Sequence, residues 1–318
     1  MLSFLKKDNS AVGVDLGSGY LKMAQLSFEG KTPCLIEAAC EKVPAEIKAG
    51  SAEWQRWSVK AIKNVMAKAK FKSKNFISAM PSDDVYIEHV KVGKNETDIE
   101  KAVFEIIKNK LPFDANNALV KCVSNDEFDR KSRRDVVAMV VDKVKVDRHL
   151  AIFEKAGLNL KSMSVWPLVI TTTYKNFFAR RSCDSDMVAM LLDIGFNHSN
   201  IIITKCDKLL FAKLIPIGLN GLVTEDASEK LVAELSGCVR YFESMETGLG
   251  ISRLLFLSGK SVDKAVCEKI AELAKQMHIP AQIGDVLAAV EIKNGNQISI
   301  DRCESSLGWA TAFGLSLS

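Results

Sequence analysis

The chain has 318 residues, of which 47% are hydrophobic and 26% charged, and its formal net charge is +4. This length allows two domains with separate cores, and the small net charge without a block of Lys and Arg disfavours nucleic-acid binding. The short apolar start before Lys6 and Lys7 does not fit a signal peptide, and no apolar run is long enough to cross a bilayer. We therefore expect a cytoplasmic protein.

The first predicted element is a β-hairpin around a polar turn. Apolar residues alternate on both sides of this turn, from Val12 and from Leu21. The turn, Asp15-Leu16-Gly17-Ser18-Gly19, can present backbone N–H groups to a phosphate, while its carboxylate can hold a metal ion or a water. A glycine-rich hairpin loop without a ligand explains this turn equally well.

Strand and helix patterns alternate along the rest of the chain, which predicts an α/β fold. A helical stripe covers residues 52–70, and a capping box at residues 97–100 begins another helix. Residues 136–141 form an apolar run typical of a strand buried on both faces. Gly157 ends the next predicted helix, and the polar segment 180–186 predicts a loop between two halves.

The second half begins as the first one does. Leu192-Asp193-Ile194-Gly195 repeats the pattern of Val14-Asp15-Leu16-Gly17, an apolar strand that ends in Asp, an apolar residue and Gly. Either turn alone is explained by an aspartate that satisfies its own backbone. The pair, one in each half, predicts two hairpins that face each other across a cleft, where two aspartates suffice for a hydrated Mg²⁺.

Two commoner phosphate motifs are excluded. Gly17-Ser18-Gly19 would begin a dinucleotide-binding fingerprint, but Lys22 stands where its third glycine is required. Ser258-Gly259-Lys260-Ser261 ends like a P-loop, but Leu254 stands where its first glycine is required. The cysteines and histidines show no spacing typical of metal ligands.

In their order along the chain, the motifs resemble those of the actin-like ATPase superfamily, and within it the PilM family of type IV pilus assembly proteins, which is related to the division protein FtsA. The two aspartate turns resemble the two phosphate motifs, and residues 209–218 resemble the strand that ends in Ile-Pro-Ile-Gly. Residues 255–259 resemble the adenosine motif, residues 309–315 the closing helix, and residues 110–113 an element of an inserted subdomain. The resemblance implies an α/β, actin-like (ribonuclease H-like) fold of two domains.

The resemblance also implies the domain organisation. The expected units are a first actin-like subdomain at 1–81 completed by 165–186 and 305–318, an FtsA/PilM-type insert at 82–164, and a second actin-like domain at 187–304. After Gly218 the chain passes almost directly into the helix predicted from Ser228, where the family has a further helical segment. This departure implies a reduced upper second domain.

The cofactors implied by the resemblance are ATP and Mg²⁺, with the metal held through water by Asp15 and Asp193. The implied nucleotide-binding residues are Asp15, Gly17, Ser18, Gly19, Tyr20, Lys22, Asp193, Gly195, Asn197, Ser199, Gly218, Gly259 and Lys260. Gly259-Lys260 stands where the family has a run of glycines, so we expect nucleotide binding to be weak or lost. No residue is identified as a base for hydrolysis, and we expect at most a weak ATPase.

The implied function is that of a scaffold or adaptor of the inner-membrane platform of a type IV pilus or a type II secretion-like machine. The expected partner is the N-terminal tail of a bitopic PilN-like membrane protein, which would bind in a groove between the first domain and the insert and bring the chain to the inner membrane. Other platform proteins and further copies of the chain are also expected partners.

Two alternatives remain, a small-molecule kinase of the same superfold and an FtsA-like filament protein. A kinase needs a catalytic aspartate, but Asp83-Asp84 is better explained as a solvated turn. The FtsA family ends in a basic amphipathic membrane helix, and the sequence up to Ser318 contains none.

Overall fold

The computed structural model describes residues 10–29, 32–124, 133–181, 184, 186–245, 248–258, 262–292 and 308–318. In chain order its elements are β1 (Val12–Leu16), β2 (Tyr20–Glu29), β3 (Thr32–Lys42), α1 (Ala52–Lys68), β4 (Phe76–Ala79), a 3₁₀ turn (Ser82–Asp84), β5 (Val85–Gly93), α2 (Ile99–Ile107), a 3₁₀ turn (Ala115–Asn117), β6 (Ala118–Ser124), β7 (Arg133–Asp142), α3 (Lys143–Ala156), β8 (Leu160–Ser164), α4 (Trp166–Phe177), β9 (Val188–Ile194), β10 (Ser199–Lys205), β11 (Lys208–Ile215), α5 (Glu225–Ser244), β12 (Arg253–Phe256), α6 (Lys264–Gln276), β13 (Ala281–Ile283), β14 (Glu291–Ile292) and α7 (Ala310–Ser316).

Two of the sheets share one topology. The first has the order β14-β3-β2-β1-β4-β8, and the second has the order β11-β10-β9-β12-β13. In each sheet the first three strands in sequence are antiparallel, and the next two lie parallel to the first strand. The alternation of strands and helices therefore forms the α/β architecture that the sequence pattern predicts.

Side-chain alternation directs both aspartates toward the same interface. In β1, Val12 and Val14 pack into the core beneath α1 and α3, so Asp15 lies on the opposite face. In β9, Met190 and Leu192 pack into the core beneath α5 and α6, so Asp193 also lies on the opposite face. The core between the two sheets contains α4 and α7.

The closing helix fixes the position of the first hairpin. A Cβ atom at Gly13 would lie 2.1 Å from the carbonyl oxygen of Ala312, so α7 crosses β1 at backbone contact. The Ser316 hydroxyl donates to the carbonyl oxygen of Ala11 at 2.7 Å and accepts from the backbone N–H of Leu26 at 2.9 Å. These contacts hold the start of β1 and the middle of β2 against α7.

The third sheet is a separate layer with the order β5-β7-β6, and α2 packs on it through Val103 and Ile107. The layer formed by the third sheet and α2 ends at Asp142. The next two elements pack with the first sheet, because α3 packs on α1 and β8 pairs with β4. β14 likewise pairs with β3 in the first sheet. The domain bounds expected from the sequence, including the insert at 82–164 and the second domain at 187–304, stay predictions.

A buried histidine makes the stability of this fold depend on pH. His149 on α3 lies with Nε2 3.2 Å from the Ser78 hydroxyl and edge-on to the ring of Phe153. Burial lowers the pKa of His149 to about 4. Below the unfolded pKa of about 6.5, the unfolded chain binds a proton that the folded chain does not bind, so stability falls as pH falls toward 4.

We predict that His149→Gln removes this contribution. Between pH 7 and pH 4 the wild-type chain loses about 3 kcal/mol more of its free energy of unfolding than the variant loses. Chemical denaturation at several pH values measures the difference. The control is the range above pH 7, where the two curves run parallel, and parallel curves throughout would contradict the prediction.

Candidate functional site

The two aspartate turns line one cleft between the first two sheets. Eight of the predicted nucleotide-binding residues line it: Asp15, Gly17, Ser18, Gly19, Tyr20, Lys22, Asp193 and Gly195. The predicted residues Gly259 and Lys260 lie outside the described residues. The structure thus brings together the phosphate-turn residues of both halves.

Three further predicted residues do not line the cleft. Ser199 is buried, and its hydroxyl donates to the carbonyl oxygen of Ile217 at 2.6 Å, so it supports the turn from behind. A Cβ atom at Gly218 would lie 2.4 Å from the backbone nitrogen of His198, so Gly218 lets the following segment pass directly beneath the turn. Asn197 is exposed at the tip of the turn.

Lys22 is the cation of the cleft. It lies opposite Asp15 across the β1–β2 pair, and its Nζ is 3.0 Å from Asp15 Oδ2. Nζ also donates to the carbonyl oxygen of Gly308 at 2.6 Å, just before α7. Burial lowers the pKa of Lys22, but attraction to Asp15 and to Asp193 outweighs burial, and the pKa is raised overall. Lys22 therefore stays protonated.

Asp193 lies on the other side of the cleft in an environment that disfavours its charge. Burial raises the pKa of Asp193, and attraction to Lys22 opposes that effect. The amide Nδ2 of Asn200 donates to Asp193 Oδ2 at 3.3 Å. Because Asp15 also raises the pKa of Asp193, the single charge of Lys22 is shared by two carboxylates that repel each other.

Phe196 closes the space between the two turns. A Cβ atom at Gly19 would lie 2.8 Å from both Cβ and Cγ of Phe196, so the side chain packs directly on the first turn. The cleft that remains has a volume of about 240 Å³, below the 300–1,000 Å³ of typical small-molecule sites. The backbone N–H groups of the turns and the Lys22 ammonium are groups that could contact a phosphate, and Asp15 and Asp193 are the carboxylates that could hold a hydrated magnesium ion.

Sequence reasoning missed two residues of the second turn, Phe196 and His198. His198 Nδ1 lies 3.1 Å from Oδ1 of Asp83, which follows β4 in the first half. Both residues closely follow the predicted pattern Leu192-Asp193-Ile194-Gly195, which was the available signal. Their bulk, in a turn whose partner Gly17-Ser18-Gly19 has only small residues, indicates that this turn makes side-chain contacts.

A second and larger cavity lies between the third sheet and the second sheet. This groove has a volume of about 690 Å³. It is lined by residues 83–89, 112–113, 145, 211–214, 237–238 and 241. His89 closes one side, because its Nε2 lies 2.9 Å from the carbonyl oxygen of Ala212 and its ring stacks on Phe211 with centroids 4.6 Å apart.

Comparison with known proteins identifies the family. The family described as type IV pilus assembly protein PilM matches residues 13–227. The chain belongs to the PilM family. Among curated proteins, none matches this PilM-family chain.

Solved structures support the same fold. A structure of the PilM–PilN type IV pilus biogenesis complex matches with a TM-score of 0.74 and 18% identity, covering 97% of this chain and 98% of that one. The ethanolamine utilization protein EutJ from Carboxydothermus hydrogenoformans matches with a TM-score of 0.53 and 11% identity, covering 98% and 90%. The actin-like fold expected from the sequence is confirmed.

The described residues contain neither a membrane-spanning helix nor a cluster of metal ligands. No helix among them is long and apolar enough to cross a membrane. No group of three or more His, Cys, Asp or Glu residues in that part of the chain is arranged to hold a metal ion.

We predict that Gly19→Ala destabilises the fold by about 1–3 kcal/mol, because the new methyl group overlaps Phe196. In a Phe196→Gly background the same substitution costs at least about 1 kcal/mol less, since both atoms in its way are gone. Denaturant titration of the four proteins of this double-mutant cycle measures the coupling.

The control is Gly93→Ala, where the added Cβ meets open space and the free energy of unfolding stays within about 0.5 kcal/mol of wild type. Equal costs of Gly19→Ala in the two backgrounds would show that Phe196 does not contact the first turn.

Proposed function

We propose that this PilM-family chain is a scaffold of type IV pilus assembly that binds the N-terminal tail of a PilN-like membrane protein in the groove between the third and second sheets. The observation that carries the proposal is the pair of strand edges that border this groove. The position differs from the groove expected between the first domain and the insert.

Both bordering strands are the last strands of their sheets. β5 is the end strand of the third sheet, and β11 is the end strand of the second. The backbone of an end strand is unpaired on its outer side and can pair with an added extended segment. Since Val85–Gly93 and Lys208–Ile215 both border the groove, an extended peptide would find a strand edge on either side, except at the Ala212 carbonyl that His89 already contacts.

The lining of the groove favours an apolar peptide. Ile87, Phe113, Phe211, Leu214 and Tyr241 contribute apolar surface. Such a lining provides pockets for alternate side chains of an extended peptide, while the strand edges bind its backbone.

Four of the charged side chains that line the groove form ion pairs within the chain. Lys110 Nζ lies 2.7 Å from Glu88 Oε1, and Lys145 Nζ lies 2.6 Å from Asp84 Oδ1. Lys213 Nζ lies 2.7 Å from an oxygen of Glu234. Because these ions already have partners, we infer that charge contributes less to recognition than apolar contact and backbone pairing.

Family membership supports the choice of partner. The solved structure with a TM-score of 0.74 is that of a PilM–PilN complex, and it covers 97% of this chain. A PilN-like tail in the groove would hold this chain at the cytoplasmic face of the inner membrane. Other platform proteins and further copies of the chain would then assemble around this attachment.

A substitution at Gly237 tests the groove. Gly237 lies on α5 at the groove, and a Cβ atom there would meet nothing within 4 Å. We predict that Gly237→Phe fills the groove and weakens binding of a synthetic PilN-like N-terminal peptide by roughly tenfold or more, or about 1.4 kcal/mol. Isothermal titration calorimetry with the whole chain measures the affinity.

The matched control is Gly237→Ala, which keeps the peptide affinity within about twofold. Alanine also stabilises the helix by about 0.5–1 kcal/mol, so a loss of binding in Gly237→Phe cannot be assigned to a weakened helix in general. Peptide affinity that is equal in all three proteins would place the tail elsewhere, and absence of binding to the wild-type chain would reject the proposed partner.

We infer that this role does not require ATP or Mg²⁺, because Phe196 and Lys22 occupy the cleft. Lys22, Asp15 and Asp193 are the residues that would meet a phosphate and its metal if the turns separated. No residue is proposed as a catalytic base. The scaffold function therefore depends on the groove, and the cleft contributes contacts between the two halves.

Thermal unfolding with ATP and Mg²⁺ tests this inference. We predict no stabilisation of the wild-type chain, and a rise in Tm for Phe196→Ala, because loss of the ring opens space beside Gly19. Binding at 100 times its Kd would stabilise the variant by about 2.7 kcal/mol.

Adding Asp15→Ala to Phe196→Ala serves as the control and removes that gain. A rise in the wild-type Tm that is as large as the rise in Phe196→Ala would reject the inference.

A further inference from the structure

One short turn borders both cavities. The 3₁₀ turn Ser82–Asp84 connects β4 of the first sheet to β5 of the third sheet. Asp83 and Asp84 line the cleft and also line the groove. A movement of this turn therefore changes the walls of both cavities.

The two aspartates tie this turn to different parts of the molecule. Asp83 Oδ1 lies 3.1 Å from His198 Nδ1 in the second hairpin, whereas Asp84 Oδ1 lies 2.6 Å from Lys145 Nζ on α3. The side chain of His198 is only 12% exposed, while that of Asp83 is 59% exposed. The contact with His198 also lowers the pKa of Asp83. Asp83 is thus the contact between the turn and the second half.

On the cleft side, His198 moves only with its hairpin. Its carbonyl oxygen accepts from the backbone N–H of Gly195 at 2.9 Å, which closes the turn. The segment at Gly218 passes directly beneath its backbone nitrogen. His198 and Phe196 thus belong to one hydrogen-bonded turn, and Phe196 contacts Gly19 of the first turn.

On the groove side, the turn passes into β5 without a break. The backbone N–H of Asp84 donates to the carbonyl oxygen of Pro81 at 2.9 Å, and β5 begins at the next residue. Val85, Tyr86 and Ile87 then line the groove. The path from His198 to the groove is thus one side-chain contact followed by a hydrogen-bonded turn.

We propose that the contact between Asp83 and His198 couples peptide binding in the groove to the position of the second hairpin in the cleft. The inference rests on the proposed peptide groove, and it adds a regulatory link between that groove and the contact of the two halves. A peptide that pairs with β5 pulls on the turn Ser82–Asp84. Through Asp83, this changes the packing of Phe196 on Gly19. By reciprocity, separation of the two hairpins changes the affinity for the peptide.

Hydrogen exchange measured by mass spectrometry tests the link on the whole chain. The probe is a synthetic PilN-like N-terminal peptide. In the wild-type chain we expect the peptide to slow exchange in residues 85–89, and to change the exchange rate of residues 194–199 by roughly threefold or more. In Asp83→Asn the protection of residues 85–89 remains and the response of residues 194–199 is lost. An unchanged response in that variant would overturn the proposal.

Asp84→Asn is the matched control, because it makes the same chemical change one residue away and removes only the pair with Lys145. It retains the response of residues 194–199. Loss of the response in both variants would assign the effect to a disordered turn and reject the role of the Asp83 contact.

A second measurement needs no peptide, so it separates this inference from the proposed function. In the free chain, Asp83→Asn and His198→Gln each raise exchange in residues 85–89 and 194–199, and the double variant raises it no further than either single change. Additive effects, or no effect, would reject the link even if the peptide binds. If the peptide fails to bind while the two substitutions are non-additive, the coupling through Asp83 and His198 is supported and the proposed partner is rejected.

Discussion

The cleft depends on one partly buried cation. Lys22 holds Asp15 at 3.0 Å, donates to the carbonyl oxygen of Gly308 at 2.6 Å and is attracted by Asp193 on the opposite hairpin. Removal of this ammonium would leave the two aspartates facing each other without a cation between them, and a charge in a partly buried site that loses its partner is costly. The lysine thus links β1, β2, the segment before α7 and the second half.

The second turn contains bulky residues where the first turn has only small ones, and these residues make side-chain contacts. Phe196 packs on Gly19, and His198 approaches Asp83 at 3.1 Å. Both contacts join the two halves of the chain directly. In a phosphate-binding site, such a turn would contact a ligand held between the two halves. In this chain the turn contacts the first half directly. These contacts are a further observation that supports the proposed scaffold function.

The sequence predicted the elements whose signal is local. The repeated pattern at Asp15 and Asp193 identified both hairpins, and Gly157 ends α3 with a φ of 79°, as a helix-ending glycine should. The pairing of β8 with β4, more than eighty residues earlier, was not predicted, because no local pattern reports such a pairing. The contacts of Phe196 and His198 are non-local in the same sense. Asp98, rather than the predicted Thr97, caps α2, a one-residue difference between two residues that both favour the position.

The position of the groove links its width to the arrangement of the two halves at the cleft. Because the groove lies between the second sheet and a layer attached to the first half, any change in the angle between the halves changes its width. His89 spans that boundary through the carbonyl oxygen of Ala212, and Asp83 spans it through His198. Contacts within the cleft that fix the angle between the two halves therefore also fix the width of the groove. A scaffold whose groove is preformed pays less ordering entropy when a flexible tail binds. Lys22 and the two aspartates therefore have a structural role in this chain that needs no nucleotide, and their presence alone does not identify an ATPase.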